Sequence, residues 1–342
     1  MTSIADLQRP PDSCQPAPAT LPLQLERART FSTPEFAGMR FLEVQTKSAL
    51  NRVRGMPFEW SINPYRGCSH ACTYCFARPT HRYLGLSPLG DFERTIVVKT
   101  NLVEVLRREL ARPSWTGERV AMGTNTDPYQ RCEGRYRLMP GIIAALAQGL
   151  TPFSILTKGT LITRDVDALR AAAKDVSVAA ALTVGTLDRN LWREVEPGAP
   201  SPQARLDAVA ALNSAGIPTG VMIAPIMPGL NDQPDALDAL VDAAAAAGAV
   251  HITPIVLHLR PGVRELFWPW LEQTHPELLH RYATLYRRAN APAEYRNTVE
   301  GLVAQCRREA WARHGRPDGH PSIGSRPRPA ARQPAGAQLR LL

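Results

Sequence analysis

Six short stretches dominated by apolar residues, near 58–63, 119–123, 153–157, 176–183, 219–224 and 250–256, alternate along the chain with segments whose apolar residues recur at helical spacing. The helical segments fall near 102–111, 140–150, 163–173, 202–215 and 235–247. The first carries Leu102, Val105, Leu106 and Leu110 on one stripe and has Asn101 in position to cap it. Strands that alternate with helices of about 10 to 15 residues argue for βα units around a parallel sheet. Near-continuous apolar strands suit burial on both faces. The fold class is α/β. Six units fall short of the eight that close a complete barrel. The competing architecture, an open doubly wound sheet, loses ground because no G-x-G-x-x-G follows any of the strands.

Between the first two strands lies Cys68-x3-Cys72-x2-Cys75, three thiols in eight residues with no fourth nearby. A structural zinc ion wants four protein ligands, usually as two separated pairs, and ferredoxin clusters take four cysteines. Three thiolates on an iron-sulfur cluster leave one iron open, so the cluster is a reagent as well as an electron carrier. A zinc site completed at a distance by His70, His81 or Cys132 is the competing reading. Only six cysteines occur in 342 residues, which disfavours chance clustering. The polar, Pro-rich residues 1–20 carry no signal-peptide pattern and predict a reducing, cytoplasmic setting rather than disulfides. No apolar run reaches the roughly 18 residues of a membrane helix.

In a parallel barrel the chemistry sits on the loops that follow the strands. Here those loops are polar: Thr124, Asn125, Thr126 and Asp127; then Thr157, Lys158 and Gly159; then Thr183, Glu194 and Glu196; then residues 225–232. Any one of them suits a cap or a turn. Four around one mouth predict a ligand site.

The cysteine spacing, with Tyr74 just before the last thiol, resembles the signature of the radical S-adenosylmethionine superfamily. Together with Leu156-Thr157-Lys158 and the run AGIPTGVMIAPI at 215–226, it is similar to the spore photoproduct lyase-like branch, over roughly residues 45–290. The resemblance implies a partial (β/α)6 barrel with the cysteine loop at its C-terminal mouth. It implies a [4Fe-4S] cluster on Cys68, Cys72 and Cys75, and S-adenosylmethionine as second cofactor. Tyr74 would sit beside the adenosyl group, Lys158 would pair with the methionyl carboxylate, and Thr126 and Thr183 would stand where the lyases have cofactor-contacting serines. The implied activity is reductive cleavage of S-adenosylmethionine to a 5'-deoxyadenosyl radical that takes hydrogen from an unidentified substrate, fed by an external electron donor such as flavodoxin or ferredoxin. The alternatives are an iron-sulfur electron-transfer protein and a zinc-stabilised nucleic-acid-binding module.

Two departures from the branch bear on the substrate. DNA-repairing lyases carry a hydrogen-donating cysteine after strand two and a tyrosine directly after the third cluster cysteine. This chain has no cysteine in 123–127 and has Phe76 at the other position, leaving Cys132 as a weak candidate donor; Cys14 and Cys306 lie far from the motif in sequence.

Four divisions follow: a flexible arm at 1–30, the partial barrel at 31–260, a helical C-terminal extension at 261–312, and an Arg- and Pro-rich tail at 313–342 that reads as disordered. Six Arg and one Asp in that tail supply +5 of the net +9. Nucleic-acid binding is therefore possible but not favoured, since the excess charge lies mostly outside the predicted globular part.

Overall fold

The computed structural model describes residues 24–54, 56 and 58–317. Its strands are β1 (Gln24–Arg29), β2 (Arg40–Gln45), β3 (Leu50–Arg52), β4 (Trp60–Ile62), β5 (Tyr65–Arg66), β6 (Thr95–Lys99), β7 (Val120–Met122), β8 (Phe153–Thr157), β9 (Val178–Thr183), β10 (Thr219–Ile226) and β11 (Ile252–Val256). In the larger sheet, β4, β7, β8, β9, β10 and β11 lie side by side and all run parallel, while β3 pairs antiparallel with β4 at one edge. The crossovers contain the helices Leu102–Leu110, Leu138–Gln148, Val166–Ala172, Pro202–Ser214 and Pro234–Ala246. This is the partial (β/α)6 barrel, its six strands in the order expected from the alternation.

Strand periodicity divides the residues between two faces. Ile62, Met122, Ile155, Leu182, Val221 and Ile252 belong to the main core, packed with the helices. Most of the alternate positions are small, as at Ser61, Ala121, Ser154, Ala181 and Gly220, with Leu156 and Met222 the larger exceptions. Closed barrels fill their interior with bulky branched side chains, and this chain does not supply them. Helix starts follow side-chain chemistry. Ser201 accepts from Ala204 N ahead of Pro202, and Asp188 accepts from Asn190 N and Leu191 N to open Arg189–Val195. Asn101, expected to cap Leu102–Leu110, does not; its amide instead bonds both backbone groups of Thr46.

A second sheet, ordered β1-β2-β6-β5, flanks the barrel and takes β5 and β6 from the segment between β4 and β7. Its edge strand β1 occupies residues expected to lie in the flexible arm. QLERAR is exposed at residues 25–29 and so lacks the apolar alternation that marks a half-buried strand. Pairing with β2 in antiparallel register orders it nonetheless. The rest of the expected arm (1–23) and most of the expected tail (318–342) lie outside the described residues.

After β11 the chain is helical: Arg264–Thr274, Leu279–Leu285 and Ala293–His314. Val299, Val303, Cys306 and Ala310 of the last helix join the main core. Phe267, Tyr282 and Tyr286 form a second core with Leu191, Val195 and Met227, against which Tyr74 packs. Among the described residues no helix is long and apolar enough to cross a membrane.

Candidate active site

The cysteine loop leaves the C-terminal end of β4 and is pinned by neighbours from three later segments. Gln130, fully buried, accepts from Ser69 N at 3.0 Å and donates to Gly67 O and Thr126 Oγ1, both at 3.0 Å. Thr126 Oγ1 donates to Gly67 O at 2.7 Å. Arg78 donates from Nε to Cys72 O at 3.0 Å and pairs with Glu93 at 2.6 Å. Gly198 lets the loop approach: its N–H donates to His70 O at 3.0 Å, and a Cβ there would lie 1.9 Å from Ser69 O. Every side chain except hydrogen is excluded at that point.

Cys68, Cys72 and Cys75 are all free thiols, the first two buried and the third half-buried. Burial pushes the Cys68 thiol well up, with Asp127, Cys72 and Cys75 adding to the rise. Burial likewise takes Cys72 to about 12, against the pull of Lys158. Thiols close enough to perturb one another are a set that releases protons on meeting a metal, because the thiolate is the ligand.

Two buried carboxylates order the surrounding loops. Asp127 accepts from Lys158 N at 2.6 Å, Thr157 Oγ1 at 2.5 Å and Tyr129 N at 2.9 Å, and lies 3.3 Å from His70 Nδ1. Burial alone would raise its pKa, but His70 and these donors hold the carboxyl down at about 2. Glu196 accepts from the Tyr74 hydroxyl on one oxygen and from Arg205 on the other. Arg205 is fully buried and also donates to Thr183 O at 2.9 Å and Pro200 O at 2.8 Å. Lys158 Nζ lies 3.9 Å from Glu196 Oε1 and 5.6 Å from the Tyr74 ring centroid. Burial opposes the lysine's charge, yet Cys72 and Glu196 outweigh it and raise its pKa.

The sequence-predicted residues do meet here. Cys72, Tyr74 and Lys158 interact directly or through Glu196, and Thr183 joins through Arg205. Thr126 is nearby, but its hydroxyl is committed to Gly67 and Gln130. Cys132 is fully buried in the main core, its thiol raised by burial, and offers no accessible hydrogen donor. Phe76 is exposed; the Arg260 guanidinium lies 5.6 Å from its ring centroid and donates to its carbonyl. The competing zinc site is not assembled among the described residues. His70 Nδ1 faces Asp127, His81 Nε2 donates to Thr95 O, and Cys132 is enclosed. Among the described residues no three His, Cys, Asp or Glu side chains are arranged to hold a single metal ion. A cluster spreads its thiolates over several irons, so that arrangement does not count against it.

Sequence reasoning treated Glu196 only as a polar loop residue and missed Arg205 and Gln130. A signal for Arg205 existed: it stands on the apolar stripe of its helix with Val209 and Leu212, four and seven residues on.

Residues 62–241 match the family model described as the radical SAM superfamily. An uncharacterized Mycobacterium tuberculosis (strain H37Rv) protein is 52% identical over 280 residues, covering 81% of this chain and 82% of that one. A Pseudomonas phage M6 protein named radical SAM Nalpha-GlyT isomerase is 28% identical over 191 residues, 55% of this chain and 37% of the phage protein. Among solved structures, spore photoproduct lyase complexed with dinucleoside spore photoproduct superposes with a TM-score of 0.56 at 17% identity, covering 80% of this chain and 79% of that one.

Proposed function

The chain belongs to the radical SAM superfamily and is an enzyme, and on that premise we propose that it holds a [4Fe-4S] cluster on Cys68, Cys72 and Cys75 and uses it to cleave S-adenosylmethionine. The observation that carries the reading is the junction of the cysteine loop with Lys158. Three free thiols stand at the mouth of the parallel sheet, beside a lysine whose charge is retained in a buried setting. When bound, the cluster would supply an electron and an open iron for reductive cleavage to a 5'-deoxyadenosyl radical, chemistry that side chains do not have.

The chain's own groups bind and orient. Glu196 carries one negative charge against the two positive charges of Arg205 and Lys158, while Asp127, the other carboxylate acting on Lys158, faces His70 and accepts from three donors of its own. Arg205 is spent on Glu196 and two carbonyls, which leaves Lys158 as the cation for the methionyl carboxylate. Tyr74, fixed by its hydroxyl on Glu196 and backed by the aromatic second core, presents a ring face to the adenosyl group. Thr183 stands at the end of β9 on the same rim. The small side chains of the non-core face give a substrate access to that rim. The hydrogen-bonded scaffold of Gln130, Arg78 and Gly198 keeps the thiols in place without contacting substrate.

Anaerobically purified protein, reduced with dithionite and given S-adenosylmethionine, should release 5'-deoxyadenosine. An intact cluster that binds the cofactor and yields none would overturn the reading, and would favour the electron-transfer alternative.

A further inference from the structure

On the face of the smaller sheet turned away from the main core, two cations stand together without a counter-charge among the described residues. β5 and β6 pair antiparallel, Tyr65 opposite Val98 and Arg66 opposite Val97. Tyr65 and Val98 are fully buried in the main core. Alternation therefore puts Arg66, Val97 and Lys99 on the opposite face. β2 continues that face, with Leu42 beside Val97 and Val44 beside Lys99. Lys99 is 5% exposed and Arg66 is half-buried. Neither side chain forms a hydrogen bond or an ion pair among the described residues. A neighbour of Arg66, His81, spends Nε2 on Thr95 O and leaves its Nδ1 buried and unbonded.

Buried charges are ordinarily paired, because an isolated one is expensive. Here burial and the repulsion of Arg66 lower Lys99 from 10.5 to about 8, a penalty that no contact among the described residues offsets. No described residue supplies the compensating charge, and the charge of a ligand that would do so follows from the arithmetic of the site. A carboxylate or a phosphodiester carries about one negative charge and leaves one cation unmatched. A phosphate monoester carries roughly −1.5 to −2 at neutral pH with three strong acceptor oxygens. An arginine fork beside a lysine point charge suits that geometry.

We propose that Arg66 and Lys99 form a binding site for a phosphate dianion, either a phosphate monoester or the free ion, on the sheet face turned away from the core. The site does not depend on the cluster chemistry, and its failure would leave the proposed activity untouched.

The test uses the anaerobically purified full chain with Arg66→Gln and Lys99→Met, at pH 7.5 and constant ionic strength. Inorganic phosphate and adenosine monophosphate, titrated calorimetrically, should bind the wild type at one site and raise its melting temperature. Each substitution should weaken that binding at least about tenfold. Lys99→Met should also melt higher than the wild type in the absence of phosphate, opposite to what loss of a structural contact does. Tighter binding of the monophosphate would identify a monoester ligand, and tighter binding of phosphate the free ion. An oligonucleotide without a terminal phosphate should bind the wild type and the variants alike. The proposal is overturned if neither probe binds, if both variants bind as the wild type does, or if the substitutions weaken the oligonucleotide and not the phosphate probes.

Discussion

Lys158 Nζ lies 3.9 Å from Glu196 Oε1, yet Glu196 already accepts from Tyr74 and Arg205, so the lysine shares a carboxylate whose charge is largely met by another cation. Lys158 thus keeps its charge next to the cysteine loop while making no hydrogen bond to that carboxylate. Lys158→Ala should weaken S-adenosylmethionine binding by about ten- to a hundredfold, the equivalent of one charge-assisted hydrogen bond of about 1.5–3 kcal/mol. Iron and sulfide content should stay at the wild-type level. Calorimetric titration of the cofactor, with metal analysis of the same sample, checks both halves; an unchanged affinity would remove Lys158 from the proposed role.

The pair beneath it is structural in a different sense. Glu196 and Arg205 are 3% and 0% exposed, and removing the arginine leaves the buried carboxylate only the more distant Lys158 as a cation. Arg205→Met should destabilise the fold by about 3–5 kcal/mol. Adding Glu196→Gln to it should recover a good part of that loss, since the stranded carboxylate is then neutral. A double-mutant cycle on thermal or urea unfolding measures the recovery. Purely additive losses would show that the pair acts through packing and not through charge.

How much of this was readable in advance depends on sequence distance. The cysteine motif is compressed into eight residues, and each barrel strand declares itself by its own composition, so both were legible. β1 was not, because an exposed edge strand such as QLERAR has no apolar alternation and is ordered by its partner β2. Asn101 looked like a cap, but the fold brings Thr46 to it, and a tertiary partner displaced the local one. The Glu196 group escaped for a similar reason. It joins Tyr74, Lys158 and Arg205 across as many as 122 positions, and no local pattern encodes such a meeting.

Replacing any one of Cys68, Cys72 and Cys75 by Ala should abolish the iron-sulfur absorbance of anaerobically purified protein and most of its iron. Cys132→Ala and Cys306→Ala should leave both intact, since these thiols are enclosed by side chains of the main core. A triple-Ala variant that kept its full complement of iron and sulfide would defeat the ligand assignment.

Lys99 gives stability a pH dependence of definite sign. Its folded value is about 8, against 10.5 for the free side chain. Between those values the unfolded chain binds more protons than the folded one, so this group's contribution to stability rises with pH from about 8 to 10.5. The swing is about 3 kcal/mol by the usual conversion of pKa difference to free energy. Lys99→Met should accordingly be more stable than wild type at pH 7, with Arg66 as the neighbouring charge unchanged, and the advantage should shrink as pH climbs past 8 towards 10.5. Melting curves of the two proteins at pH 7, 8.5 and 10 decide it. A constant difference across that range would mean that Lys99 does not titrate as its surroundings require.

The last prediction concerns the substrate of the similar lyase fold, which binds dinucleoside spore photoproduct: this chain should not repair thymine photoproduct with multiple turnovers. Returning a hydrogen atom to a repaired base needs a donor in contact with it, and displacement of a reacting group by even about 1 Å can forfeit much of the rate. Phe76 has no O–H, and its ring lies under the Arg260 guanidinium. Residues 123–127 contain no thiol, and Cys132 is fully buried. An arginine-rich tail, wherever it lies, attracts phosphate without supplying a hydrogen atom. Reduced protein incubated with photoproduct-containing oligonucleotide should therefore yield at most a trace of thymine dinucleotide, while still producing 5'-deoxyadenosine. Sustained repair would overturn the argument, and its loss in Cys132→Ala would show that the buried thiol becomes accessible during turnover.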